Sequence, residues 1–178
     1  MAFDTPTRAR LGRLVAEVRD LLTAEFTHKL RLLYGISPSG ETAPVETLPD
    51  LDEPQRATAQ LLRDRLDHLV AATPTVRNAA AGAVARLTRE QAFTVLNRLA
   101  AVRLAEKRGL ISTSLAQGYE SAGFRQYQQV AGSALGETYH RYRRYLFCLF
   151  DELAVDLGVL FDRRSPSGLL FPREPALL

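Results

Sequence analysis

The side chains best suited to chemistry in this 178-residue chain are few, and they form no catalytic or metal-binding pattern. His28, His68 and His140 are widely separated, and none stands at a metal-ligand spacing from another or from the single cysteine, Cys148. No glycine is followed two places later by a second. The dinucleotide fingerprint and the glycine-rich cofactor loop are therefore missing, as is the Gly-x-x-x-x-Gly-Lys phosphate cradle. A nuclease strand that holds metal with acids needs an acid two residues before its lysine, but Thr27 precedes Lys29 and Ala105 precedes Lys107. No Gly-x-Ser-x-Gly elbow presents a serine nucleophile. Taken by itself, the chain reads as non-catalytic.

What remains is arginine. Of 23 basic residues only Lys29 and Lys107 are lysine, a bias that a GC-rich genome explains without selection for phosphate binding. The net charge of +3 is too mild to imply nucleic acid on its own. Local clusters carry more information. In "YHRYRRY", Tyr139 to Tyr145, the tyrosines Tyr139 and Tyr142 belong to an apolar stripe. Arg141 and Arg144 occupy the wet side, where they are either solvated or able to follow a phosphate backbone. Arg98, beside Asn97, lies among the small residues Thr94, Ala101 and Ala105, and is a third candidate for DNA contact. Arg103 shares a direction with Ala92, Leu96 and Leu99 at about 100° per residue, so it is expected in mid-stripe. An unpaired charge there costs several kcal/mol. The expectation is a buried clasp to Glu106 or Asp156; the other reading has Arg103 reaching phosphate. Cys148, with no base nearby in the pattern, is expected to be buried packing.

The elements that must position these residues are helices. Thr5-Pro6 opens and Gly35 closes one long amphipathic helix with the stripe Leu11, Leu14, Val15, Val18, Leu22, Phe26 and Leu33. Residues 36–50, with three prolines, read as a loop or linker. A second helix runs from Pro54 to about Ala72 and stops before Pro74. The segment "VRNAAAGAVARL" reads as a short helix, after which Thr88 and Gln91 have the spacing of a capping box that opens a new helix ending before Gly109. Ser121 to about Val130 gives another short helix. A final long one begins near Leu135, with the stripe Tyr139, Tyr142, Leu146, Leu149, Phe150, Leu153 and Leu157. Residues 162–178 read as a proline-rich tail. With no alternating strand pattern, the fold is expected to be all-α, an irregular bundle of four to six helices in one domain without a sheet. That domain divides into a long N-terminal helix (1–35), a loop (36–50), a helical core (51–161) and the tail (162–178).

No run approaches the roughly 20 apolar residues of a membrane span, and the first thirty residues hold no signal-peptide core. With one cysteine, a reducing cytoplasm is the expected compartment.

Three stretches in order carry a resemblance: "YGISPSG" (Tyr34 to Gly40), "AFTVLNRLAAVRLAEKRGLI" (Ala92 to Ile111) and "LFDRRSPSGLLFP" (Leu160 to Pro172). Together, and most sharply through Phe93, Asn97, Arg98, Ala101, Arg103 and Glu106, the chain resembles the N-terminal helical region of adenine-specific DNA methyltransferases of the Pgl/BREX phage-exclusion type. Those are relatives of fused restriction-modification methylases. The resemblance implies a catalytic methyltransferase domain in the same polypeptide, S-adenosylmethionine as that domain's cofactor, and DNA and other phage-defence proteins as partners. It also implies that residues 162–178 lead to the catalytic domain. This chain itself lacks the glycine turn for S-adenosylmethionine and the Asn-Pro-Pro-aromatic motif that holds a flipped adenine. No cofactor is expected on it. Two further classes stay open: a free-standing helical adaptor for proteins, and a small sequence-insensitive nucleic-acid-binding module.

Overall fold

The computed structural model describes residues 4–49, 51–72, 78–131 and 136–178, and among these the secondary structure is helical, with no strand. The helices are α1 (Thr5–Leu32), α2 (Glu53–Ala71), α3 (Ala79–Lys107), α4 (Ala122–Ala131), α5 (Thr138–Phe161) and the single turn α6 (Glu174–Leu177). Asp50, Pro74, Val76, Arg77 and Leu135, on which parts of the sequence reading rest, lie outside the described residues.

Local chemistry sets the helix starts. Asp4 caps α1 by accepting the amide of Thr7 at 3.1 Å, and Pro6 sits in the first turn, where no intrahelical donor is required. Asp52 and Gln55 form a reciprocal capping box at α2, each side chain accepting from the other's amide at 2.8 and 2.9 Å.

The capping box expected at Thr88 does not exist. Its hydroxyl donates instead to the carbonyl of Val84 at 2.8 Å, inside a continuous α3 of 29 residues, roughly 43 Å long. The alanine-rich segment and the helix after it are one rod. It serves two apolar clusters in turn. The first lies between the C-terminal half of α1 (Leu22, Phe26, Leu30), α2 (Leu62, Leu66, Leu69) and the first half of α3 (Val84, Leu87, Val95). The second joins Val102 of α3 to Phe124 of α4, to Tyr142, Leu146, Phe150 and Phe161 of α5, and to Phe171. Its centre is aromatic: Tyr119 and Phe124 meet the ring of Tyr142 edge-on at 5.2 and 5.1 Å.

Of the segment read as a loop or linker, residues 36–49 form a loop tied to the helices. Ile36 pairs with Thr42 in an isolated bridge, and Arg63 donates to the carbonyls of Tyr34 and Ala43 at 2.8 and 2.6 Å, which pins the turn to α2. Gly35 makes the turn at φ +63°, where a Cβ would lie within 2.9 Å of Leu48 and Ala43.

Other expectations need correction. Leu11, Leu14 and Val15 are exposed, because packing on α1 among the described residues starts further along, with Val18 partly buried against the first cluster. Leu157 is exposed at a break in α5, where its backbone leaves the helical region, and Cys148 is exposed as well.

These contacts set the sign of two glycine substitutions. Gly35→Ala is expected to lower unfolding stability in urea by about 1–2 kcal/mol through its positive φ and crowded Cβ. Gly82→Ala, in α3 at a position where an added Cβ would meet nothing within 4 Å, should raise stability by up to about 1 kcal/mol.

Candidate functional site

The chain after α5 has almost no regular structure between Asp162 and Arg173, so its peptide groups need partners from elsewhere. Side chains of the helices supply them. Arg98, only 2% exposed, donates from Nε to the carbonyl of Leu160 at 2.8 Å, from Nη1 to Gly168 at 2.7 Å and from Nη2 to Asp162 at 2.6 Å. Two of these carbonyls belong to the end of α5, the negative pole of its dipole, where a cation is favoured. Gln91, fully buried, donates to the carbonyl of Pro166 at 2.6 Å and accepts the amides of Leu169 and Leu170 at 2.7 and 3.0 Å. Gly168 is required by proximity: a Cβ there would stand 2.5 Å from the Arg98 guanidinium.

The strap so formed is tied at its far end to α1 and α5. Lys29 donates to the carbonyl of Phe171 at 2.8 Å and Tyr139 to that of Pro172 at 2.6 Å. Glu25 accepts the Arg173 guanidinium in a fork, both bonds 2.8 Å, and also its amide. The hydrogen bonds to Arg173 hold the Glu25 carboxyl below its usual range. Residues 162–173 of the proline-rich tail are thus packed into the fold.

The structure also redistributes the arginines. Arg98, expected to face DNA, is buried in the strap. Arg103, expected in mid-stripe, is half exposed, with 52% of its side chain open to solvent. It does pair with Glu106, whose other oxygen accepts the amide of Ser114 at 2.6 Å and that of Leu115, capping the turn beyond α3. Asp156 is exposed and makes no bond to Arg103 among the described residues. Arg144 is exposed on α5. Arg141 is half buried, its Nη2 3.4 Å from the Thr138 hydroxyl.

Sequence reasoning missed Arg143. It lies one turn after Tyr139 and one turn before Phe147, a spacing that puts it on the packed side of α5 and not with Arg141 and Arg144. That side opens on a cleft of about 1330 Å³ between the last turns of α1, the start of α2, α5 and the strap. The guanidinium groups of Arg143 and Arg163 both lie over the ring of Phe147, 5.8 and 4.6 Å from its centre. Arg163 also forks onto Asp151 at 2.7 and 2.5 Å, which holds that carboxyl below its usual range. Burial, and then the nearby charge of Arg143, pull the Lys29 ammonium down to about 8. Among the described residues no three acid, histidine or cysteine side chains are grouped to hold a metal, and no helix is long and apolar enough to cross a membrane. The arrangement is suited to holding an anion.

Comparisons of the chain with protein-family models, with curated proteins and with solved structures find no match.

Two outcomes follow from this geometry. Arg98→Met should cost at least about 3 kcal/mol in urea unfolding, since it orphans three carbonyls. Arg103→Ala, removing one half-exposed partner, should cost about 1 kcal/mol or less. Lys29 supplies the pH test. Its folded-state pKa is lowered, so between about pH 8 and pH 10 the unfolded chain binds the extra proton and stability rises with pH. The stability of the wild type relative to Lys29→Met should therefore increase from pH 7.5 to pH 9.5; a flat difference would contradict the assignment.

Proposed function

We propose that this chain is a non-catalytic helical domain that scaffolds the catalytic domain of an S-adenosylmethionine-dependent, adenine-specific DNA methyltransferase of the Pgl/BREX phage-exclusion type. The observation that carries the reading is the meeting of the three stretches on which the resemblance rests. Tyr34 and Ile36 of the first, Val95 of the second and Leu170 of the third share one apolar cluster. Gln91, just ahead of the second, and Arg98 within it supply the bonds that hold the third. That the three stretches pack together supports reading them as one pattern.

In this reading the cofactor, the flipped adenine and the methyl transfer belong to the catalytic domain, and this domain contributes support and weak contact to DNA. Other phage-defence proteins are the further partners, and the compartment is the cytoplasm. A second reading, a free-standing protein adaptor, is favoured by one feature: Leu11, Leu14 and Val15 leave an apolar stripe of α1 uncovered.

Two measurements test the proposal. Calorimetry of this chain with S-adenosylmethionine should show no binding, because the glycine turn is missing from it; stoichiometric binding would overturn the division of labour. The genomic reading frame that encodes the chain should continue into a glycine-rich cofactor turn and an Asn-Pro-Pro-aromatic motif. A frame without them would favour the adaptor.

A further inference from the structure

We propose that the cleft between α1, α5 and the strap binds the phosphodiester backbone of a nucleic-acid strand through Lys29, Arg143 and Arg164. The walls carry six lysine and arginine residues against three aspartates. The acids are already engaged: Asp151 by Arg163, Asp52 as the cap of α2, and Asp162 by the amide of Arg164 at 2.9 Å. Glu25, behind Lys29, is forked to Arg173. Arg98 is consumed by the strap. Lys29, Arg143 and Arg164 form no ion pair within 4 Å among the described residues; Lys29 feels Glu25 and Arg164 feels Asp151 only at longer range, and both acids are forked to other arginines.

Two of the three have donors to spare. Among the described residues Arg143 Nε is buried without an acceptor, as is Arg141 Nε outside the cleft, and Lys29 Nζ, which can donate three bonds, is seen to meet the carbonyl of Phe171 alone. Each also feels the other's charge, the repulsion that helps bring Lys29 down to about 8. A phosphate between them would relieve that repulsion. Phe147 and Phe171, edge to face at 5.1 Å, give the guanidinium groups a rigid apolar backing, which keeps water from competing fully for the anion.

Size and spread favour a strand over a small ligand. The cleft, about 1330 Å³, is open to solvent and so can admit a chain that continues beyond it. From Arg143 to Asp151, the anchor of Arg163, α5 rises roughly 12 Å, long enough for successive phosphates of one strand to meet different side chains. The contacts are to phosphates, so no sequence preference follows. The proposal takes from the proposed function only that the strand is DNA.

The test is a salt titration of duplex DNA binding by the whole chain, followed by fluorescence anisotropy. Arg143→Gln and Arg164→Gln should each weaken binding by roughly fivefold and lower the slope of log affinity against log salt by about one. The Arg141→Gln, Arg144→Gln double variant, altered away from the cleft, should change affinity less than twofold. Arg143→Lys, which keeps the charge, controls for folding and should retain most of the binding. Absence of duplex binding at low salt, full binding by Arg143→Gln with Arg164→Gln, or loss of binding in the Arg141, Arg144 variant would each overturn the proposal. Inorganic phosphate is the other probe. If it raises the melting temperature in an Arg143-dependent way while duplex does not bind, the cleft is a small-phosphate site and the strand is wrong. A reading frame lacking methyltransferase motifs would fail the proposed function and leave this result standing.

Discussion

The rest of the structure depends on a single buried guanidinium. Arg98 gathers the carbonyls of Leu160, Asp162 and Gly168 onto the middle of α3, and in doing so fixes where α5 ends and where the strap begins. A charge enclosed this way is tolerable because its planar fork finds three acceptors, two of them at a helix terminus whose dipole is negative. Lysine could not reproduce that geometry. Once the strap is held, Phe171 closes the aromatic cluster from below, Leu170 closes the other cluster, and the floor of the cationic cleft exists.

The long third helix turns this local clamp into global order. Its buried line runs through Val84, Thr88, Gln91, Val95, Arg98, Val102 and Glu106. Four of its members are polar or charged: Thr88 returns its hydroxyl to the Val84 carbonyl of the same helix, and the other three satisfy main-chain groups that the neighbouring non-helical segments cannot satisfy for themselves. Gln91 acts as a short piece of strand edge, Arg98 as a helix C-cap and Glu106 as an amide cap for the turn after α3. The interior polarity of this helix is thus the counterpart of the irregular backbone packed against it.

That coupling explains what could be read in the sequence and what could not. Helix class, the stop of α2 near Ala72 and the buried Tyr142, Leu146 and Phe150 of α5 follow from apolar period and caps, which are local. The line on α3 does not, since a hydrophobic template favours Leu96 and Leu99 and so carries the stripe to Arg103, whereas the buried arginine is Arg98. The Thr88 and Gln91 spacing mimics a cap for the same reason: both side chains look outward-bound, yet their partners are the Val84 carbonyl and a segment some seventy-five residues away. On α5 the wet face was legible at Arg144, but Arg143 requires knowing that the strap and α1 make a cleft there. The proline-rich composition of residues 162–173 signals a non-helical segment and says nothing of the side chains that hold it.

Native-state amide hydrogen exchange at Leu169, Leu170 and Arg173 tests the clamp most directly, since among the described residues these amides are bonded to the side chains of Gln91 and Glu25. If the strap is built into the fold, their protection should approach that of the α3 core amides and fall together with it in Arg98→Met. Exchange at rates near those of an unfolded chain, while the amides of α3 stay protected, would show that the strap opens independently and that the fold does not depend on Arg98.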